Sequence, residues 1–251
     1  MLTTEDLERA LAEAGLAAPV RADEVTVSTN ATALELAEAG SPEWTLVSAA
    51  HQIAGRGRLG RAWQDGPDEA LLCSFVLRPA LAPAMAGLLT LLAGAALAEA
   101  ARSFGVQAGC KWPNDLMTPD GKAGGILAEA AVAAGTLRHV VIGTGVNLGA
   151  PPSAIPGAAS LPGVAPGPLL GRYLTAFTRL YAPGEVGFAS GVVAAARAVS
   201  VTLGRKVEAV RADGGTVIGT AVDLDAEGGL VVETARGPAT LAFGEVVHVR
   251  H

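Results

Sequence analysis

The chain has 251 residues, half of them hydrophobic, with 24 acidic against 18 basic side chains and a formal net charge of −6. That hydrophobic share excludes a disordered chain and suffices for one sizeable core plus a small second unit. The acidic balance argues against a general nucleic-acid binder, which would carry a basic surface, and Cys73 and Cys110 lie inside apolar runs, where they read as small buried residues rather than as a disulfide or metal pair.

Taken in order, residues 4–15 predict a short amphipathic helix: Leu7, Leu11 and Ala14 share a face and Gly15 ends it. The first segment is acidic and polar, so no signal peptide is expected, and there is no room before residue 25 for a helix-turn-helix domain. Val25–Val27 is strand-like. Ser28-Thr29-Asn30 precedes a helical run from Ala31 to Ala39, and from spacing alone these polar residues read as an N-cap. Trp44–Ala50 predicts a buried strand, Asp65–Glu69 a polar turn and Ala70–Leu77 a fully buried strand. The uncharged run Ala80–Ala98 reaches membrane-spanning length, but its Ala and Gly content and the flanking Arg78 and Glu99 fit a helix buried in protein, here from Pro83 to Phe104. Val106–Trp112, Asn114–Thr118, Gly124–Val132 and Leu137–Asn147 predict strands, with turns at Pro119-Asp120-Gly121 and Gly135-Thr136. Tight turns between strands, with helices elsewhere in the chain, give an α+β class with a mixed or antiparallel sheet.

Gly149–Gly167 is a long Pro- and Gly-rich loop. Helices follow at Pro168–Tyr181 and Glu185–Val199. Beyond Val201 the chain turns to short strands at Leu203–Val207, Thr216–Leu224, Leu230–Thr234, Thr240–Phe243 and Val246–Val249, separated by turns such as Asp213-Gly214-Gly215 and Glu227-Gly228-Gly229. This pattern predicts a small β-barrel of SH3-like size, dividing the chain into 1–199 and 200–251.

Three segments carry the chemistry. In Gly55-Arg56-Gly57-Arg58-Leu59-Gly60-Arg61-Ala62-Trp63, glycines let the backbone wrap a ligand and arginines offer planar forks for phosphate or carboxylate. Lys111-Trp112-Pro113-Asn114-Asp115-Leu116 and Lys122–Glu129 follow. Lys111, Asp115 and Lys122 fall within twelve residues around a strand–turn–strand unit. Several cations with one carboxylate suit a reaction between two anions, such as a carboxylate attacking the α-phosphate of a nucleoside triphosphate. Asp115 is the candidate to orient magnesium. The alternative on spacing alone is a surface ion pair between Lys111 and Asp115. The chain has no Gly-x-x-x-x-Gly-Lys-Ser/Thr loop, and Gly143-Thr144-Gly145 lacks the third glycine of a dinucleotide site.

In order and spacing, these segments and the strand Ile142–Leu148, together with Ser28-Thr29-Asn30 and Gln52, resemble biotin protein ligases. The resemblance implies a class II synthetase-like catalytic domain with an SH3-like C-terminal domain. It also implies a two-step reaction, in which biotin and ATP give biotinyl-5′-AMP and the biotin then passes to a lysine of a biotin carboxyl carrier domain. Carried over, Ser28, Thr29, Asn30 and Gln52 would hold the ureido end of biotin, displacing the cap reading. Gly55, Arg56, Gly57 and Arg58 would close over biotin, and Gly125 would leave it room. Lys122 would meet its carboxylate at the reacting centre. Arg56, Arg58, Arg61, Trp63, Lys111, Asn114, Lys122 and Asn147 would surround ATP or the adenylate, and Arg58, Lys111, Asp115 and Lys122 would be the catalytic set, with Mg2+ on Asp115. Leu59 and Gly124 depart from the commoner family residues. The implied protein is a cytoplasmic ligase without a DNA-binding role or a membrane, and a homodimer by family analogy. A lipoate–protein ligase of the same fold is the enzymatic alternative, and a non-enzymatic binding module the remote one.

Overall fold

The computed structural model describes residues 1–64, 70–151, 155–210, 215–242 and 245–248. The expected turn at 65–69 lies outside these residues, as do parts of the 149–167 loop, the 213–215 turn and the last two expected strands.

Thr3 opens helix α1 (Thr4–Glu13) with a reciprocal cap: its hydroxyl accepts from the Asp6 amide at 3.2 Å, and its own amide donates to the Asp6 carboxylate at 2.9 Å. Leu7, Ala10 and Leu11 form the buried stripe of α1, which packs on α4 (Pro166–Leu180). Strand β1 (Val20–Thr26) runs parallel to β2 (Leu46–Gln52), with α2 (Thr29–Glu38) as the crossover. β3 (Ala70–Leu77), β4 (Gly109–Lys111), β5 (Asp115–Thr118), β6 (Gly121–Ala133) and β7 (Thr136–Asn147) complete a seven-stranded sheet in the order β1-β2-β3-β7-β6-β5-β4. All pairs after the first are antiparallel, so the sheet is mixed.

One face of this sheet carries most of the core, under α1, α3 (Ala86–Arg102), α4 and α5 (Phe188–Val199). The other face carries α2, over a small cluster of Ala33, Ala37, Val47, Val76 and Val141. The long apolar run is therefore a core helix, with 12 of the 17 residues of α3 buried. Gly94 is what lets α3 lie on β4, since a Cβ there would stand 2.7 Å from the Cys110 sulfur. Cys73 and Cys110 are free and buried, and burial pushes both thiols up to about 12.

A second, five-stranded antiparallel sheet follows: β8 (Lys206–Val210), β9 (Thr216–Leu224), β10 (Leu230–Thr234), β11 (Gly237–Leu241) and β12 (Glu245–His248), in the order β11-β10-β9-β8-β12. This is the small SH3-like unit. It is joined to the first sheet through Trp112, whose amide donates to the Thr202 hydroxyl and whose indole N–H donates to the Gly228 carbonyl, both at 3.0 Å. Trp112→Phe keeps a ring in the core but leaves that carbonyl without its donor. The expected result is a loss of about 1–2 kcal/mol in urea unfolding; an unchanged midpoint would show that the bond contributes nothing.

Several bounds differ from the sequence reading. α2 begins at Thr29 rather than Ala31, β1 begins at Val20 rather than Val25, β4 spans only Gly109–Lys111, and β8 begins at Lys206 rather than Leu203.

Candidate active site

The face of the sheet that carries α2 becomes a cavity floor beyond that helix's N-terminus. Pairing register sets Gly125 opposite Gly145, and Leu127 and Ser74 on either side of Gly143, so a run of small residues lies on one face. Two side chains lie flat on these glycines. A Cβ at Gly143 would fall 1.8 Å from Asn30 Oδ1, and one at Gly145 would fall 2.6 Å from the Trp63 ring. A Cβ at Gly125 would meet nothing closer than 3.6 Å, so the floor is open there. The resulting cavity is about 340 Å³.

The wall at the α2 end rests on an unusual cap. Ser28 occupies the N-cap position but makes no cap bond. Gln52, from the end of β2, substitutes for it: its Oε1 accepts from the Thr29 amide at 2.8 Å and from the Thr29 hydroxyl at 3.2 Å. A free helical N–H is thus satisfied from outside the helix, which leaves the buried Ser28 hydroxyl facing the cavity it lines.

The Gly-Arg loop folds over the opposite side. Gly57 N–H donates to the Arg61 carbonyl at 2.7 Å and Trp63 N–H to the Gly55 carbonyl at 2.9 Å, around a short 3-10 turn at Arg58–Gly60. Leu59 sits at φ +56 in that turn and is exposed. Arg58 is tied down by a 3.1 Å bond to Asn114 Oδ1, while the Asn114 amide nitrogen donates to the Ile126 carbonyl at 2.8 Å.

Of the residues the sequence singled out, Ser28, Thr29, Asn30, Gln52, Arg56, Gly57, Arg58, Arg61, Trp63, Lys111, Asn114, Asp115, Lys122, Gly125 and Asn147 all line this cavity. Gly55 does not. A Cβ there would come within 2.9 Å of the Trp63 carbonyl oxygen, so its smallness serves closure of the loop. The alternative of a Lys111–Asp115 ion pair is not what forms: although the two are register partners on β4 and β5, Asp115 pairs with Lys122 at 2.5 Å. Asn147 is held as well, its side-chain amide donating to the Ala159 carbonyl at 2.9 Å. That bond lays residues 155–158 along Lys122, whose amide donates to the Gly157 carbonyl at 2.9 Å.

The sequence reading gave no individual role to Thr144, residues 155–158 or Val246, which line the cavity, nor to Ser74 and Glu129 beside it, although it had singled out the segments Lys122–Glu129 and 149–167. Ser74 stood out only as a lone hydroxyl inside an apolar strand.

The electrostatics are one-sided. Arg56, Arg58, Arg61, Lys111 and Lys122 line the cavity, and among the described lining residues Asp115 is the only carboxylate. A chain of net charge −6 thus concentrates cations where it is concave. No histidine or cysteine is among these lining residues. His139 lies elsewhere on β7, its protonation disfavoured by burial and then by Arg78. Among the described lining residues, the charged groups are thus five cations and one carboxylate, with no thiolate or imidazole beside them.

Residues 23–147 match the biotin/lipoate A/B protein ligase family, and residues 202–249 match the biotin protein ligase C-terminal domain. The biotin--[acetyl-CoA-carboxylase] ligase of Mycobacterium tuberculosis is 33% identical over 237 residues, covering 90% of this chain and 87% of that protein. The bifunctional ligase/repressor BirA of Bacillus subtilis is 33% identical over 226 residues, covering 85% of this chain and 69% of that protein. Among solved structures, biotin protein ligase from Aquifex aeolicus in complex with biotin and ATP superposes with a TM-score of 0.76 at 23% identity, over 93% of this chain and 99% of that one, a likeness of fold. The chain belongs to the biotin/lipoate A/B protein ligase family, and it carries the C-terminal domain of the biotin protein ligases.

Proposed function

We propose that this chain is an ATP-dependent biotin–protein ligase. The observation that carries the reading is the cavity itself: five cations and one carboxylate beside a floor of glycines. In the first step a biotin carboxylate oxygen bonds to the α-phosphorus of ATP, the bond from that phosphorus to the β-phosphate bridging oxygen breaks, and pyrophosphate leaves. In the second, a carrier lysine amine attacks the acyl carbon, the bond to the AMP oxygen breaks, and the amine loses a proton as the amide forms.

Each residue has a task in this reading. Ser28 and the Thr29–Gln52 pair meet the ureido group, whose one acceptor and two donors must all be satisfied once buried. Lys122 leaves Asp115 for the carboxylate and phosphoryl oxygens as they approach each other. Arg58 and Arg61 hold phosphate oxygens in the loop, Lys111 adds charge behind them, and Trp63 shields the reacting anhydride from water. Residues 155–158 and Asn147 frame the nucleotide.

One carboxylate fits a magnesium ion held mostly by phosphates. Asp115 would be the protein ligand, and the ion would offset charge as the phosphorus–oxygen bond breaks. The division into 1–199 and 200–251 is part of this proposal, with α5 ending at Val199 and the second sheet starting at Lys206. So are a cytoplasmic setting and a carrier-domain acceptor. A homodimer belongs to it too, with β1 as an edge strand open to pairing.

The test is incubation of the protein with ATP and magnesium, plus biotin or lipoate, with mass spectrometry of the products. Biotinyl-AMP and pyrophosphate with biotin alone is the expected result. A lipoyl adenylate would move the substrate to the sister enzymes, and no adenylate from folded protein would overturn the reading.

A further inference from the structure

Asn30 was expected to bind the ligand, yet its amide is engaged by protein on every side. Oδ1 accepts from the Ser74 hydroxyl at 2.7 Å. The amide nitrogen donates to Glu129 Oε2 at 2.7 Å and to the Leu127 carbonyl at 3.3 Å. The Ser74 oxygen lies 2.8 Å from the Thr29 hydroxyl, which in turn meets Gln52. At the other end of this chain of bonds, Glu129 Oε1 lies 3.3 Å from Arg56 Nη1. One carboxylate therefore joins the first arginine of the Gly-Arg loop to the polar network under the α2 end of the cavity. Glu129 does not itself line that cavity.

Stability does not explain this arrangement. The Arg56 and Glu129 side chains are 44% and 27% exposed, and an ion pair so open to water contributes little by itself. The use of the contact is geometric. The two oxygens of one rigid carboxylate fix where Arg56 stands relative to Asn30, and Asn30 in turn fixes Ser74 and Thr29.

Resting on the biotin-ligase reading, we infer that Glu129 is a positioning residue that couples the start of the Gly-Arg loop to the biotin head pocket. It holds the loop's entry in place before ligand arrives. A head group that orders Thr29 and Ser74 thereby also orders Arg56, so pocket filling and loop closure reinforce each other.

The experiment compares Glu129→Ala and Glu129→Gln in the full chain. Glu129→Ala breaks both links: the KM for biotin rises about tenfold, while kcat at saturating biotin stays within about twofold, because Glu129 touches no reacting atom. Glu129→Gln keeps an acceptor for Asn30 but drops the charge that holds Arg56. Its KM rises about threefold, less than in Glu129→Ala, while biotinyl-AMP escapes about fivefold faster, and adding Arg56→Ala to it increases escape no further than Arg56→Ala alone. A readout independent of ligase activity is trypsin cleavage after Arg58 and Arg61 in ligand-free protein, which rises severalfold in both variants. Should Glu129→Ala fail to fold, Glu129→Gln carries the test. KM, escape and cleavage all within twofold of wild type would overturn the inference while leaving the ligase reading intact. Altered cleavage with no biotinyl-AMP from the wild type would sink the ligase reading instead, and with it the coupling to biotin.

Discussion

Lys122→Ala is expected to slow formation of the acyl-adenylate by about a hundred- to a thousandfold, the cost of removing one preorganised charge from a site where negative charge develops. The argument starts from what repels. Carboxylate and α-phosphate are both anions, and their approach is opposed until a cation lies between them. On the proposed reading, Lys122 is the cation for this step. Its Nζ lies 2.5 Å from Asp115, the single carboxylate among the described lining residues, so an incoming carboxylate competes for a contact that already exists. The backbone of Lys122 is anchored separately, its amide to the Gly157 carbonyl at 2.9 Å and its carbonyl to the Ala159 amide at 2.8 Å. Truncating the side chain leaves that anchor intact. The lost ion pair is 42% exposed on the lysine side and adds only about 0–1 kcal/mol to stability, so the fold survives. Quenched-flow measurement of pyrophosphate release at saturating biotin and ATP reads the rate directly. A wild-type rate would remove Lys122 from the reacting centre.

Much of this site was legible because its signals are local. The Gly-Arg loop and the Lys-Trp-Pro-Asn-Asp segment are contiguous, and they line one cavity as their chemistry suggested. The β3 strand was readable to the residue because a run apolar but for Ser74 stands out there, and β9 and β10 because a glycine turn separates them. What escaped depends on register. The Lys122–Asp115 pair follows from the β5–β6 hairpin, whereas spacing alone suggested Lys111. Ser74, Asn30 and Glu129 are 44 and 99 positions apart along the chain and meet only because alternate residues of β3, β7 and β6 share a face. The cap at α2 was misread for a related reason. Ser28 has the right residue type and position for a cap, but Gln52, 23 residues after Thr29, takes the amide instead. The β1 strand was underestimated because it is an edge, where polar residues such as Arg21 and Asp23 break the apolar pattern.

The second large effect is expected from a single methyl group. Gly143→Ala should weaken biotin binding by about a hundredfold, a displacement of the pocket wall of the kind that a misplaced group of about 1 Å produces. The new Cβ would lie 1.8 Å from Asn30 Oδ1 and 2.6 Å from its Cγ, so something must move. The strand cannot give easily: β7 is hydrogen-bonded to β3 on one side and β6 on the other, in the middle of the sheet. Asn30 must therefore leave, although it is only 4% exposed and bonded to Ser74, Glu129 and the Leu127 carbonyl. Its departure strands buried polar groups, and overpacking of this kind costs about 1–3 kcal/mol in urea unfolding. Adding Asn30→Ala separates the two effects. That change vacates the volume the methyl needs, so the double variant should recover stability relative to Gly143→Ala but not biotin affinity, because the bonded network that shapes the pocket is still absent. Wild-type biotin binding by Gly143→Ala in calorimetry would mean that the ligand does not rest on this floor, and the cations above it would then have to be explained by some other anion.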